Sequence, residues 1–315
     1  MPLNKDALKI LDKLAEGRPT PPHLLPVKEV RQLAREFADL NGEPVPVAKV
    51  QDRHIPGPTG DIPVRIYWPR ELHPDDRIPV TLYFHGGGWV VCGIDTHDRY
   101  CRRFAVAAQC IVILVDYRLA PEHRFPAAVD DCYAVLRWLK DNAPHVNADR
   151  RKIAVAGDSA GGNLSTVMCL KSRDLNGPPI AAQALIYPVT DHWDAGFPSY
   201  SENAEGYGLT RDFMKWFWEH YLGSGGDRRN AYAAPLRAPS VANLPPALVI
   251  TAEYDPLRDE GIAYADRLEE AGNIVLRKQY NGQIHGFFGY SAMTDDADDA
   301  MQTVAKFLNR VWAVL

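Results

Sequence analysis

Gly157-Asp158-Ser159-Ala160-Gly161 follows directly on the apolar run Lys152-Ile153-Ala154-Val155-Ala156 and leads straight into a helical pattern, Ala160 to Arg173. A strand that turns this sharply into a helix strains the backbone at its apex, and flanking glycines remove the side chains that would clash there. Ser159 holds the apex. The helix N-terminus behind it favours negative charge developing at that point. Gly-x-Ser-x-Gly alone is a short pattern that unrelated chains contain by chance, and a tight turn with an incidental serine is the competing reading. The strand before and the helix after turn it into the signature of a nucleophile elbow on an α/β sheet.

Working outward, short apolar runs alternate with helical ones. Strands are expected near Val80 to Phe84, Ile111 to Tyr117, Ile153 to Ala156, Ala184 to Tyr187, Ala247 to Ala252 and Ile274 to Tyr280. Helices are expected near His97 to Ala108, Ala127 to Asn142, Ala160 to Arg173, Leu257 to Ala271 and Met301 to Val314. Continuous apolar strands suit a sheet buried on both faces, and the alternation is that of parallel strands joined by helical crossovers. Period-two patterns at Val47 to Ile55 and Ile62 to Trp68 place the start of the sheet. Upstream lie a helix (Leu3 to Leu14), a connector with prolines at 19, 21, 22 and 26, and a second helix (Val27 to Leu40) stopped by Asn41-Gly42.

One segment breaks the rhythm. Asp191 to Pro235 is too long for a simple crossover and carries the aromatic stretch Phe213-Met214-Lys215-Trp216-Phe217-Trp218. The expected organisation is a core of residues 46–190 and 236–315, with a helical cap assembled from residues 1–45 and 191–235.

A serine hydroxyl near neutral pH is a weak nucleophile and needs an imidazole to take its proton. In this fold the chain order is Ser, then acid, then His, so of ten histidines only His192, His220 and His285 qualify, and the first two fall in the inserted segment. His285 lies in Gly282-Gln283-Ile284-His285-Gly286-Phe287, beyond the last expected strand, at the end of the sheet where such folds bind ligands. The acid that orients it belongs on a loop after an intervening strand, and Asp255 in Glu253-Tyr254-Asp255-Pro256 fits. Glu253 and Asp259 compete with it, and an N-cap role near Leu257 is compatible with catalysis. Upstream, Phe84-His85-Gly86-Gly87-Gly88-Trp89 follows a strand, and its glycines let backbone N–H groups face a cavity. No Gly-Lys-Ser/Thr follows, which excludes a phosphate loop. With the N–H of Ala160, this loop would bind an oxyanion.

Composition bounds the alternatives. The 46% hydrophobic and 24% charged residues of this 315-residue chain describe an ordinary globular protein with ample material for a core. Forty acidic and 35 basic residues are mixed along it, with no basic cluster for a nucleic-acid backbone. No apolar run is long enough to span a bilayer, so no membrane association is expected. Met1 to Glu16 mixes charge with Leu and Ile rather than presenting a signal-peptide core, so a cytoplasmic location is expected. None of the five cysteines forms a CxxC pair, and reduced structural thiols with no bound metal are the expectation.

Four motifs together resemble the bacterial hormone-sensitive-lipase-like esterases of the α/β-hydrolase superfamily. They are His85-Gly86-Gly87-Gly88-Trp89; Asp116-Tyr117-Arg118-Leu119-Ala120-Pro121-Glu122 with Phe125-Pro126-Ala127-Ala128; Gly157-Asp158-Ser159-Ala160-Gly161-Gly162; and Asp255-Pro256-Leu257-Arg258-Asp259 with His285-Gly286-Phe287. The resemblance implies a mostly parallel sheet of about eight strands, a triad of Ser159, Asp255 and His285, and an oxyanion hole from Gly87, Gly88 and Ala160. It implies no metal or organic cofactor, a small-molecule ester substrate, and a homodimer paired through the edge strand near Ile274 to Tyr280. His85 and the segment Tyr117-Arg118 to Glu122 are expected to support the site rather than react. Within the cap, Phe213 and Met214, with Trp89 from the glycine loop, are the residues expected to line an acyl pocket of limited depth. Rival readings are a lipase acting at an oil interface, amide or carbamate hydrolysis by the same triad, and a non-catalytic receptor, the last disfavoured by the presence of His285.

Overall fold

The computed structural model describes residues 2–16 and 20–315; Pro19 of the connector lies outside them. Eight strands form one sheet: β1 Lys49–Pro56, β2 Asp61–Trp68, β3 Ile78–Phe84, β4 Ile111–Val115, β5 Ala148–Asp158, β6 Ala182–Ile186, β7 Ala247–Tyr254 and β8 Val275–Ile284. Their spatial order is β1-β2-β4-β3-β5-β6-β7-β8. β1 and β2 are antiparallel to each other and β2 to β4, while every pair from β4 to β8 is parallel. This is the expected α/β-hydrolase architecture.

The alternation of side chains builds two cores. Along β4, Ile111, Ile113 and Val115 face one layer, and Val112 and Leu114 the other. Helices α4 (Ala127–Asn142), α5 (Ala160–Asp174) and α8 (Arg258–Glu270) cover the first face, and α3 (Ile94–Ala108) and α9 (Asp296–Trp312) the second. Several elements run longer than their apolar pattern. β5 starts at Ala148 because Ile78 pairs with it across a register shift. α3 begins three residues before His97, where Thr96 Oγ1 both accepts from Gly93 N–H (3.0 Å) and donates to Gly93 C=O (2.9 Å). α9 opens with Asp296, Asp298 and Asp299, charges that a helix N-terminus favours. Conversely, β4 stops at Val115, since the Asp116 N–H goes to Pro63 C=O instead of a neighbouring parallel strand.

Helices α1 (Lys5–Ala15) and α2 (Val27–Phe37) precede the sheet, and α6 (Ser199–Glu202) and α7 (Arg211–Leu222) belong to the inserted segment. Ala7 and Ile10 of α1 pack on Ile284 at the end of β8, together with Tyr207 of the insertion. Arg31 of α2 donates to the carbonyls of Val90 (2.8 Å) and Ala120 (3.0 Å) and clamps Glu122 with two bonds. Thr210 caps α7 by accepting from Phe213 N–H (3.0 Å), and Met214, Phe217, Trp218 and Tyr221 form its buried stripe.

Candidate active site

At the end of β5 the chain turns into α5 through Ser159, whose φ of 56° and ψ of −119° lie where residues with a Cβ seldom sit. The glycines around it answer to close packing rather than flexibility. A Cβ on Gly161 would come within 1.8 Å of Phe84 C=O, and one on Gly157 within 2.5 Å of the same oxygen. Strand β3 can therefore approach the elbow only if both stay glycine. Backbone bonds fix the apex: Ser159 N–H donates to Ile186 C=O (2.9 Å), and Asn163 N–H to Ser159 C=O (3.0 Å).

His285 is the first residue beyond β8, and its Nδ1 lies 2.7 Å from Oδ2 of Asp255, itself the first residue beyond β7. Asp255 has no exposed surface, and its Oδ1 accepts the N–H of Leu257 (2.8 Å). One carboxylate thus meets the imidazole and closes the turn before α8, but it is not the helix N-cap that the competing reading expected: the N-cap of α8 is Leu257, with no side-chain cap bond. A carboxylate at Nδ1 keeps the proton there and leaves Nε2 with a lone pair. The rival carboxylates are engaged elsewhere: Glu253 accepts from Gly282 N–H (2.7 Å), and Asp259 from Ser199 N–H and Arg258. His192 binds Asp194 and His220 stacks on Trp216, so neither joins the group. Between β5 and β8, Tyr187 follows β6 and sets its ring 4.5 Å from that of His285, a contact that no sequence signal marked. Ser159, Tyr187, Asp255 and His285 therefore stand at the C-terminal ends of four adjacent parallel strands.

The glycine loop is held from below. Gly86 N–H donates to Oδ1 of Asp158 (3.2 Å), which also accepts from Tyr83 Oη (2.9 Å) and lies 3.3 Å from His97 Nε2. His97 Nδ1 in turn meets Thr96 Oγ1 at 2.9 Å. Burial pushes the Asp158 carboxyl up, but the imidazole of His97 and the Tyr83 hydrogen bond outweigh it and hold the group below the usual carboxylate range. It is an anion. His85 is pushed down to about 3 by burial, helped by neighbouring His97, and is a neutral, weakly basic ring stacked on Tyr117. Tyr117 Oη donates to His85 C=O (2.6 Å), which is the supporting role expected of both residues. Gly87 and Gly88 have φ of 102° and 57°, and Ala160 opens α5.

Residues 81–289 match a family model of the alpha/beta hydrolase fold. Over 277 residues the chain is 46% identical to an esterase, LipI, of Mycobacterium tuberculosis, covering 87% of this chain and 85% of that one. The chain belongs to the hormone-sensitive-lipase-like esterases. A hyperthermophilic esterase from the archaeon Pyrobaculum calidifontis superposes over the full length of both chains with a TM-score of 0.93 at 40% identity. An ethyl acetate hydrolase of Pseudomonas putida is 36% identical over 98% of this chain and 99% of its own.

In this esterase α7 comes directly against the glycine loop. A Cβ on Gly88 would fall within 2.1 Å of the Phe217 ring, so that ring rests on the loop's backbone. Phe213 stacks on Phe217 with ring centroids 4.2 Å apart and keeps part of its surface exposed. Met214 is buried, and Trp89 has no exposed surface, stacked on Tyr221 at 4.0 Å and packed against Trp218 at 4.9 Å. Phe217 is the contact that sequence reading passed over, since an aromatic run does not say which ring faces the sheet.

A further buried carboxyl lies at the root of the insertion. Glu260 Oε1 accepts from the N–H groups of Thr190 (2.7 Å) and Asp191 (3.4 Å), with Tyr200 alongside and Asp191 paired to Arg237. Burial dominates and pushes this carboxyl well above its ordinary value of 4.5, against the pull of those two backbone donors. A group raised on folding stabilises the fold fully below its unfolded pKa, and that contribution is lost as pH rises toward the folded one. Glu260→Gln should therefore gain stability relative to the parent esterase as pH rises from about 5 to about 8. Thermal melts across that range test it, and parallel pH curves for the two proteins would contradict it.

Proposed function

We propose that the esterase hydrolyses short- to medium-chain acyl esters through an acyl-enzyme on Ser159. His285 serves as general base and Asp255 as the acid that orients it, with the N–H groups of Gly87, Gly88 and Ala160 as the oxyanion hole. The observation that carries this reading is the 2.7 Å bond from His285 to a fully buried Asp255, at the strand ends that also present Ser159. Nε2 takes the hydroxyl proton as Oγ attacks the ester carbonyl. The imidazolium formed is stabilised by Asp255, and the tetrahedral oxyanion by the loop donors, each worth about 3 kcal/mol in the transition state. Proton return to the alkoxide releases the alcohol. Water activated by the same imidazole then frees the acid.

Chain length is set, on this proposal, by the cap of residues 1–45 and 191–235, with part-exposed Phe213 facing the acyl pocket and Met214 and Trp89, which have no surface open to it, packed behind. Phe217 against Gly88 supports limited depth, because it places an aromatic ring close to where the acyl carbonyl would bind. Rates across p-nitrophenyl esters should peak between butanoate and octanoate; a maximum at dodecanoate or longer would overturn the assignment. Two further expectations travel with this reading. A homodimer through β8 is supported by its place at the sheet edge and by the exposure of Ile274 (71%) and Leu276 (42%), and light scattering that gives a monomer mass would remove it. A cytoplasmic site of action is supported by five free cysteines, four of them buried, and cell fractionation tests it. Among the described residues no helix is long and apolar enough to cross a membrane.

A further inference from the structure

We infer that Asn203, on the inserted segment, is a positioning residue for Asp255, so that the end of α6 helps keep the acid in register with His285. This deepens the reading of Ser159, His285 and Asp255 above and rests on it. The turn from Asp255 to Leu257 carries the chain from β7 across to α8, and side chains of the insertion take up three carbonyls on or beside it. Asn203 Nδ2 donates to Asp255 C=O (3.1 Å) and reaches Glu253 C=O (3.4 Å), while Ser199 Oγ donates to Pro256 C=O (2.6 Å). The loop answers in kind: Asp259 Oδ2 accepts from Ser199 N–H (2.8 Å), and Arg258 binds Glu202 (2.7 Å).

Asn203 and Ser199 are buried, at 3% and 0% exposure, so water cannot replace these donors without opening the seam. Within the loop, Asp255 C=O has one other partner, the Arg258 N–H at 3.1 Å. The Asn203 amide therefore ties the acid's own peptide to the peptide of Glu253 and fixes the direction in which the carboxylate leaves the chain. It touches no reacting atom. Its effect on the reaction has to pass through Asp255, and a misplacement of about 1 Å there is enough to cost ~100-fold in rate.

The test is a double-mutant cycle of Asn203→Ala and Asp255→Asn, reading kcat per folded molecule and KM on one p-nitrophenyl ester. Asn203→Ala should lower kcat by ~10- to 100-fold with KM changed less than about threefold. In the Asp255→Asn background the same change should cost less than about threefold, because the acid it positions is already disabled. Ser199→Ala removes the bond to Pro256 C=O and the one the same hydroxyl accepts from Asp259 N–H (3.3 Å); it should show a smaller loss with the same dependence on Asp255, and it carries the test should Asn203→Ala fail to fold. Equal fold-losses in both backgrounds, or full activity in Asn203→Ala while Asp255→Asn is impaired, would overturn the inference alone. Full activity in Asp255→Asn would overturn the assignment of the acid, and the inference with it.

Discussion

Ser159→Ala is expected to lower kcat by ~10⁴- to 10⁶-fold while leaving the fold and its melting temperature nearly unchanged. On the proposed mechanism the large loss follows from covalent catalysis: without Oγ no acyl-enzyme would form, and only binding and the proposed oxyanion donors would remain. Preserved folding follows from how residue 159 is held. Its backbone N–H and C=O carry the bonds to Ile186 and Asn163, and the strained φ of 56° is already borne by a residue with a Cβ. Alanine brings no new atom into the crowded turn where Gly157 and Gly161 meet Phe84. A variant that unfolds, or one that keeps more than about a hundredth of the parent rate, would be inconsistent with this site.

Asp255→Asn is expected to cost ~10³- to 10⁴-fold in kcat, against less than about tenfold for Glu253→Gln or Asp259→Asn. The structure says why an isosteric change should be so damaging. Leu257 N–H donates to one oxygen of the carboxylate and His285 Nδ1 faces the other. An asparagine must give its single oxygen to Leu257, which turns its NH₂ group toward the imidazole. Nδ1 then becomes the acceptor, the proton moves to Nε2, and the ring can no longer take the proton of Ser159. Glu253 and Asp259 bind backbone and arginine groups of the loops around the site, so their neutral analogues disturb geometry but not the tautomer. A ranking in which Glu253→Gln or Asp259→Asn is the more damaging would reassign the acid.

How much of this was legible beforehand depends on whether the signal was local. The elbow could be read because strand, glycines and helix adjoin in sequence, and chain order then selected His285 from ten histidines. Strand positions could be read because residues buried on both faces leave continuous apolar runs, and their ends were missed where pairing extends into polar sequence, as at Ala148 to Lys152. Contacts between distant segments left no local mark. Asp158 stands in the elbow motif, but its partners Tyr83, Gly86 and His97 come from β3, the loop after it and α3. Phe217 is one of five hydrophobic residues between Phe213 and Trp218, and only the pose of α7 decides that its ring meets Gly88. Nothing local marks Asn203 and Ser199, whose partners are met only where the insertion folds back on the Asp255 turn.

The claim on which the rest depends is that Ser159 is the nucleophile. Treating the native esterase with a fluorophosphonate and mapping the adduct by peptide mass spectrometry tests it most directly. A single adduct is expected, on Ser159, whose appearance tracks the loss of esterase activity. Activity lost with Ser159 unmodified, or an adduct on another residue in step with inactivation, would contradict it.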